Sequence, residues 1–368
     1  MVGSLDCEGL SVGVVSIRVN LTGGQLVALD LFVSGENGYH TYRIPALVKT
    51  RSAIHAFCEG RKHGQGDSGK IDLLMRSSRD GGRSWSDARV VVTEPGMTCG
   101  NPCPVYDGVT DTIWLPFCKN IGAIAETEIC RGNGPRTVWL MASEDDCQSW
   151  STPRDITSQV KDAGWTWYAT GPCHGIQLSS GRLVVPCDHM VGVYLDRHAD
   201  PYHSHVILSD DHGETWRVGG IVDEGTNECA VAEFGNGDVY INCRNYRQMK
   251  CRASAWSDDG GETFGRFTLD ETLADPICQG SLLDLGDNRF VLSNAASETR
   301  ENVSLRLSDN GGERWSEPYV LWEGPSAYSD TVSADSGVIG CFYECGSEGP
   351  YERLRFETVL VQDLEAVT

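Results

Sequence analysis

Lysine is scarce in this 368-residue chain: six residues against 24 arginines. Acidic residues outnumber both together, and the formal net charge is −22 with a pI of about 4.7. So negative a chain does not suit nucleic acid or an anionic membrane surface as partner. An anionic small molecule would be repelled at long range and would need a concentrated positive pocket. Arginine suits such a pocket, because its planar guanidinium makes bidentate contacts that lysine cannot.

Other absences narrow the class further. No Cys-x-x-Cys occurs among the fifteen cysteines, which argues against a zinc ribbon. Cys99 with Cys103 and Cys341 with Cys345 are the closest-spaced pairs; Cys58, Cys118, Cys187 and Cys243 lie in apolar, strand-like runs. There a thiol behaves as a small hydrophobe, and mostly reduced cysteines are expected. No run reaches transmembrane length. Met1 to Leu10 has neither a basic start nor an apolar core, which leaves a cytoplasmic protein or a secreted one with its signal removed. Helical periodicity is nearly missing; Asp155 to Lys161 has room for one short turn. No Pro/Ser-rich linker divides the chain. The expectation is a single all-β domain over residues 1–368.

An octapeptide dominates what is present. Ser78-Arg79-Asp80-Gly81-Gly82-Arg83-Ser84-Trp85 recurs from Ser143, Ser209, Ser257 and Ser308, with the pattern Ser-x-Asp-x-Gly-x-Ser/Thr-aromatic. Cys147 replaces the glycine, Phe264 the tryptophan, and Asn310 with Arg314 the aspartate and hydroxyl. Asp-Gly or Asn-Gly between apolar strands is a hairpin turn: the side chain accepts from turn amides and glycine tolerates positive φ. The key positions (80, 145, 211, 259, 310) lie 65, 66, 48 and 51 residues apart. Short strands repeating at that period indicate β-propeller blades. Five copies do not fix the count. With the segments outside the first and last copies the expectation is six blades. In the region 1–28, the alternating stretch Val12 to Val19 packs on or closes the ring, completing a blade begun by the C-terminal strands.

Between the copies lie residues that blades do not require. Tyr42-Arg43-Ile44-Pro45 is the first. With Ile-Asn-Cys-Arg244-Asn, Ser-Glu-Thr-Arg300-Glu-Asn, Asn227-Glu228 and Ser-Ala-Tyr328-Ser-Asp, in that order, the chain resembles the exo-α-sialidases (neuraminidases) of glycoside hydrolase family 33. The resemblance runs from about Phe32 to about Glu357, and the octapeptides correspond to the family's Asp boxes. It implies a six-bladed propeller that removes terminal sialic acids from glycans or glycoconjugates, without cofactor or metal.

Physical chemistry agrees with what the resemblance implies. Sialic acid carries a carboxylate on its anomeric carbon, C2, and three converging guanidiniums would bind it; by motif these are Arg43, Arg244 and Arg300. A carboxylate nucleophile would be repelled by that carboxylate, so a phenol is used instead, and it needs a partner base. Tyr328 matches the nucleophile and Glu228 the base. Asp67, in the glycine-rich loop Arg61 to Gly69, matches the acid/base, with Asp72 a competing candidate in a strand-like setting. Arg61 matches a sugar-contacting arginine. Asn101, the segment Trp165 to Pro172 with Tyr168, and Gln279 are expected to line the substrate, and Glu344 to be a buried carboxylate near the site. A trans-sialidase, an intramolecular trans-sialidase or a hydrolase preferring deaminated sialic acid would share these motifs. A non-catalytic sugar-binding propeller would have lost Asp67, Glu228 or Tyr328.

Overall fold

The structure, a computed structural model, describes residues 18–19, 25–193, 202–247 and 249–367. It is nearly all β. The helices among these residues are three short segments, Glu126–Cys130, Thr157–Val160 and Val361–Glu365. The second falls inside the stretch where a helical turn was expected.

Antiparallel meanders make up the fold. Thr41–Lys49, Ile54–Arg61 and Ile71–Ser78 pair in order, and Arg89–Val92 follows on the outer side. Thr226–Phe234, Asp238–Asn245, Cys251–Ser257 and Gly265–Ala274 repeat this plan as a separate four-stranded sheet. Leu183–Val191 and Tyr202–Ser209 centre another. Strands that lead into octapeptides are mostly buried on both faces, as in sheets packed face to face; Thr137–Ser143 instead alternates buried and half-buried residues. Tyr319–Asp335 belongs to two meanders: its first half pairs with Glu301–Ser308 and its second with Val338–Cys345. The last strand, Arg353–Leu360, pairs with Ala28–Val33, so the two ends of the fold share one sheet. That closing strand lies later than the expected Val12–Val19, most of which falls outside the described residues; Arg18–Val19 pairs instead with Gln25–Leu26.

The octapeptides are turns built alike. In the first, Asp80 Oδ1 accepts from Ser78 Oγ (2.8 Å) and Ser84 N (2.9 Å), and Oδ2 accepts from Ser84 Oγ (2.6 Å). Ser78 Oγ in turn accepts from Gly82 N at 2.9 Å. The copies at Asp145, Asp211 and Asp259 repeat these bonds. At Asn310 the hydroxyl bond is gone, because Arg314 stands where Ser or Thr stood. Gly82 has φ +91°, and a Cβ there would lie 2.1 Å from Phe356; Gly213 and Gly312 seat in the same way against Trp114 and Tyr240, whereas a Cβ at Gly261 would meet nothing closer than 3.4 Å. Cys147 takes the same place at φ 62°. The fourteen described cysteines are all free and buried, as strand-filling thiols; Cys7 lies outside the described residues.

Candidate active site

The site begins at a kink. Strand Thr41–Lys49 pairs Arg43 with Glu59 and Ala46 with Phe57, leaving a bulge at Ile44-Pro45. Ile44 has φ 62°, an uncommon conformation for a β-branched residue, and its N–H donates to Glu344 Oε1 at 3.0 Å. The same carboxylate accepts from Arg43 Nε (3.0 Å), and its Oε2 accepts from the backbone N–H of Tyr328 (3.1 Å). Glu344 is fully buried, as expected, and ties Arg43 to Tyr328.

Tyr328 lies within a second bulge, between Ser326 and Ser329. Its hydroxyl donates to Glu228, with Oε1 at 2.7 Å and Oε2 at 2.9 Å, and accepts from Arg244 Nη1 at 3.0 Å. Arg244 also pairs with Glu228 at 2.6 Å. Burial and then the Glu228 charge push the phenol well above its ordinary value, while Arg244 and Arg300 pull the other way. Arg300 makes no ion pair among the described residues; Nη1 meets the Tyr351 hydroxyl, and the guanidinium lies 5.4 Å from the centre of the Tyr328 ring. Tyr351 also stacks under Arg43 at 4.1 Å.

Asp67 projects from its loop with the side chain 57% exposed. It pairs with Arg61 Nη1 at 2.8 Å and Arg43 Nη1 at 3.3 Å. Burial would raise its carboxyl, but Arg61 and Arg43 prevail and hold it at about 2. Arg61 is steadied by Glu59, its same-face neighbour two residues back.

One pocket thus collects Arg43, Arg61, Asp67, Asn101, Glu228, Arg244, Arg300 and Tyr328. Tyr168 and Gln279 stand apart from it. Strand Trp165–Thr170 alternates, so Trp167 and Ala169 face the pocket, while Tyr168 is fully buried on the other side against His205. Gln279 is fully buried and bonds to Pro172 O, Ser329 O and Ser329 N, a strut between strands. Asp72 is also structural, accepting from Tyr39 and Lys70.

The wall holds residues that motif reading missed. Arg136 is buried over Trp167 and donates to Tyr168 O, Asn120 Oδ1 and Asn101 Oδ1. Glu126, Asp188 and Asn227 complete that side. Asp188 carried a usable signal: a carboxylate directly after the apolar run Val184-Val185-Pro186-Cys187, still within the strand. The pocket is less one-sided in charge than expected, because five arginines face five carboxyls (Glu59, Asp67, Glu126, Asp188, Glu228). Among the described residues no group of three or more His, Cys, Asp or Glu is arranged to hold a metal ion.

All-β architecture, Asp-box turns and an arginine-lined pocket with a tyrosine–glutamate pair are those of a glycoside hydrolase. Comparison with known proteins agrees. Residues 54–341 match a family described as BNR repeat-like domain. Sialidase-3 of Mus musculus is 30% identical over 391 residues, which cover 89% of this chain and 92% of the relative. The solved structure of Hadza microbial sialidase Hz136 superposes with a TM-score of 0.81 at 25% identity, covering 94% of this chain and 70% of that one. A leech intramolecular trans-sialidase shares the fold, with a TM-score of 0.73 at 17% identity, covering 93% and 71%. The chain belongs to the sialidase family and is an enzyme of the exo-α-sialidase kind.

Proposed function

We propose that the enzyme hydrolyses terminal α-ketosidically linked sialic acids from glycoconjugates with retention, through a covalent sialyl-tyrosine on Tyr328. The observation that carries this reading is the Tyr328 hydroxyl bonded to both oxygens of Glu228 and to Arg244. Arg43, Arg244 and Arg300 clamp the substrate carboxylate. Its arrival draws Arg43 away from Asp67, and the aglycone covers Asp67 from water. Both changes raise the Asp67 carboxyl from its free-enzyme position, so that it can protonate the leaving oxygen. Glu228 takes the phenol proton as Tyr328 Oη attacks C2 and the bond to the aglycone breaks. Asp67 then removes a proton from water as the water oxygen attacks C2; the bond from C2 to Tyr328 Oη breaks, and Glu228 returns its proton to the phenolate. Arg61 and Asn101 hold the sugar beside this centre.

The same reading includes six blades in one domain. It is supported by the succession of innermost strands, Thr41–Lys49, Val105–Asp107, Ile176–Gln177, Thr226–Phe234, Ser281–Asp284 and the second half of Tyr319–Asp335. The test is a fluorogenic aryl sialoside with an unsaturated sialic acid analogue as inhibitor, followed by trapping with a 3-fluorosialyl fluoride. A label on the peptide carrying Tyr328 is expected; a label on a carboxylate would refute the mechanism. Transfer to an acceptor would use the same covalent intermediate, and product analysis with and without lactose separates hydrolase from trans-sialidase.

A further inference from the structure

Arg43 and Tyr328 stand on strands of different sheets. Thr41–Lys49 carries the first and Tyr319–Asp335 the second, and among the described residues no backbone hydrogen bond joins the two strands. A strand with no neighbour on one side must satisfy its buried N–H groups there with side chains. Side chains do tie these two. Glu344 accepts from the N–H groups of Ile44 (3.0 Å) and Tyr328 (3.1 Å). Lys49 Nζ donates to Ala334 O (3.3 Å) at the far end. Between these levels lies Asp330, fully buried, whose Oδ2 accepts from Leu47 N at 2.7 Å. Its Oδ1 takes Thr331 N (2.9 Å), Ser281 Oγ (2.6 Å) and His174 Nδ1 (2.8 Å). A carboxylate has about four acceptor sites, and all are used. Asp330 does not line the substrate pocket.

We infer that Asp330 is a positioning residue for the reaction: it fixes how far the Tyr328 oxygen stands from the arginines that hold the substrate. This rests on the proposed reading of Tyr328 as nucleophile. In that reading Arg43 grips the carboxylate on C2 and Tyr328 attacks the same carbon, so the two strands must keep their relative offset closely. Glu344 alone would act as a pivot, because both of its backbone contacts lie at the level of Tyr328. Asp330 is two residues beyond Tyr328 and Leu47 three beyond Ile44, which puts the second tie roughly 7–10 Å from the first. Two ties that far apart stop one strand from turning or sliding against the other. Misplacing the reacting atoms by about 1 Å costs on the order of a hundredfold in rate. Gln279 bonds to Ser329, between Tyr328 and Asp330, but its bonds reach no part of Thr41–Lys49, so it does not duplicate the tie.

The test is the rate at which a 3-fluorosialyl fluoride labels Tyr328, read beside calorimetric binding of the unsaturated sialic acid analogue. Asp330→Ala should lower the saturating labelling rate constant by about thirty- to a hundredfold, while the dissociation constant of the analogue changes less than about threefold. Asp330→Asn keeps one acceptor for Leu47 N and should recover the rate to within about tenfold of wild type. It also decides the matter if the alanine variant does not fold, with a rate at least about threefold below wild type expected. A residue that only stabilised the fold would lower the urea midpoint and leave folded enzyme labelling at the wild-type rate; that result would overturn the assignment. Equal losses in labelling and in analogue binding would overturn it too, because they place the defect in the clamp. Failure of wild type to label Tyr328 would instead overturn the nucleophile reading beneath it.

Discussion

Tyr328 and Glu228 come from strands a hundred residues apart, yet the phenol oxygen lies 2.7 Å from one carboxylate oxygen and 2.9 Å from the other. A phenol near pKa 10 is a poor nucleophile, and burial makes this one worse. The pair therefore acts only as a unit. Tyr328→Phe should lower kcat on an aryl sialoside by about a thousandfold or more with the fold intact by circular dichroism, and Glu228→Gln should act in the same direction.

Asp67 makes a different prediction. An alkoxide leaving group needs a proton, whereas an aryl oxide hardly does. Asp67→Ala should cost about a thousandfold on a sialyl-galactoside and about tenfold or less on a nitrophenyl sialoside. Equal losses on the two would remove Asp67 from the acid role.

In the proposed carboxylate clamp, Arg300 is the arginine whose change isolates substrate binding. Arg43 and Arg244 are paired with Glu344 and Glu228, so changing them disturbs the nucleophile as well. Arg300→Lys should raise KM by about ten- to a hundredfold while denaturation midpoints stay near wild type.

Gly82 of the first Asp box is a packing requirement as much as a turn requirement. Gly82→Ala places a methyl against Phe356 and should cost about 2–4 kcal/mol in urea unfolding. Gly181 has a similar φ of +93° but open space around its missing Cβ, so Gly181→Ala should cost about 1–2 kcal/mol. Equal costs would mean that the neighbouring aromatic is irrelevant.

Acid should weaken the fold through histidine. Burial holds His55, His189 and His205 below the ordinary imidazole value, His205 at about 3. The unfolded chain takes up these protons near pH 6.5, but the folded chain does not. Stability is therefore full above about 6.5 and declines as pH falls, by up to ~1.4 kcal/mol per pH unit for each histidine. His174, raised beside Asp330, works the other way, adding stability as pH falls through its raised value, before the loss from the other three sets in. Urea midpoints between pH 7.5 and 5 should fall, and His205→Gln should flatten the slope.

Motifs in the sequence located the residues on bulges, turns and loops: Arg43, Asp67, Glu228, Arg244, Arg300 and Tyr328 all reach one pocket. Such residues stand out because a strand of blade packing has no use for them. Tyr168 and Gln279 were misplaced because strand parity decides which neighbour faces inward, and parity depends on register that a motif does not carry. Arg136 lies in a polar stretch where an arginine attracts no notice. Asp188 was overlooked because one acidic residue in an apolar strand reads as a defect until its surroundings are known. The octapeptides specified the turns, but not which strand closes the sheet, since Val12–Val19 and Ala28–Val33 both read as strands.

The closing sheet has a consequence for the timing of synthesis. Arg353–Leu360 leaves the ribosome more than three hundred residues after its pairing partner Ala28–Val33. Arg43 likewise waits for Glu344, about three hundred residues later, to be held in place. A nascent chain thus carries Arg43 through the making of about three hundred further residues before the carboxylate that holds it exists, and the pocket is complete only once that late strand is docked.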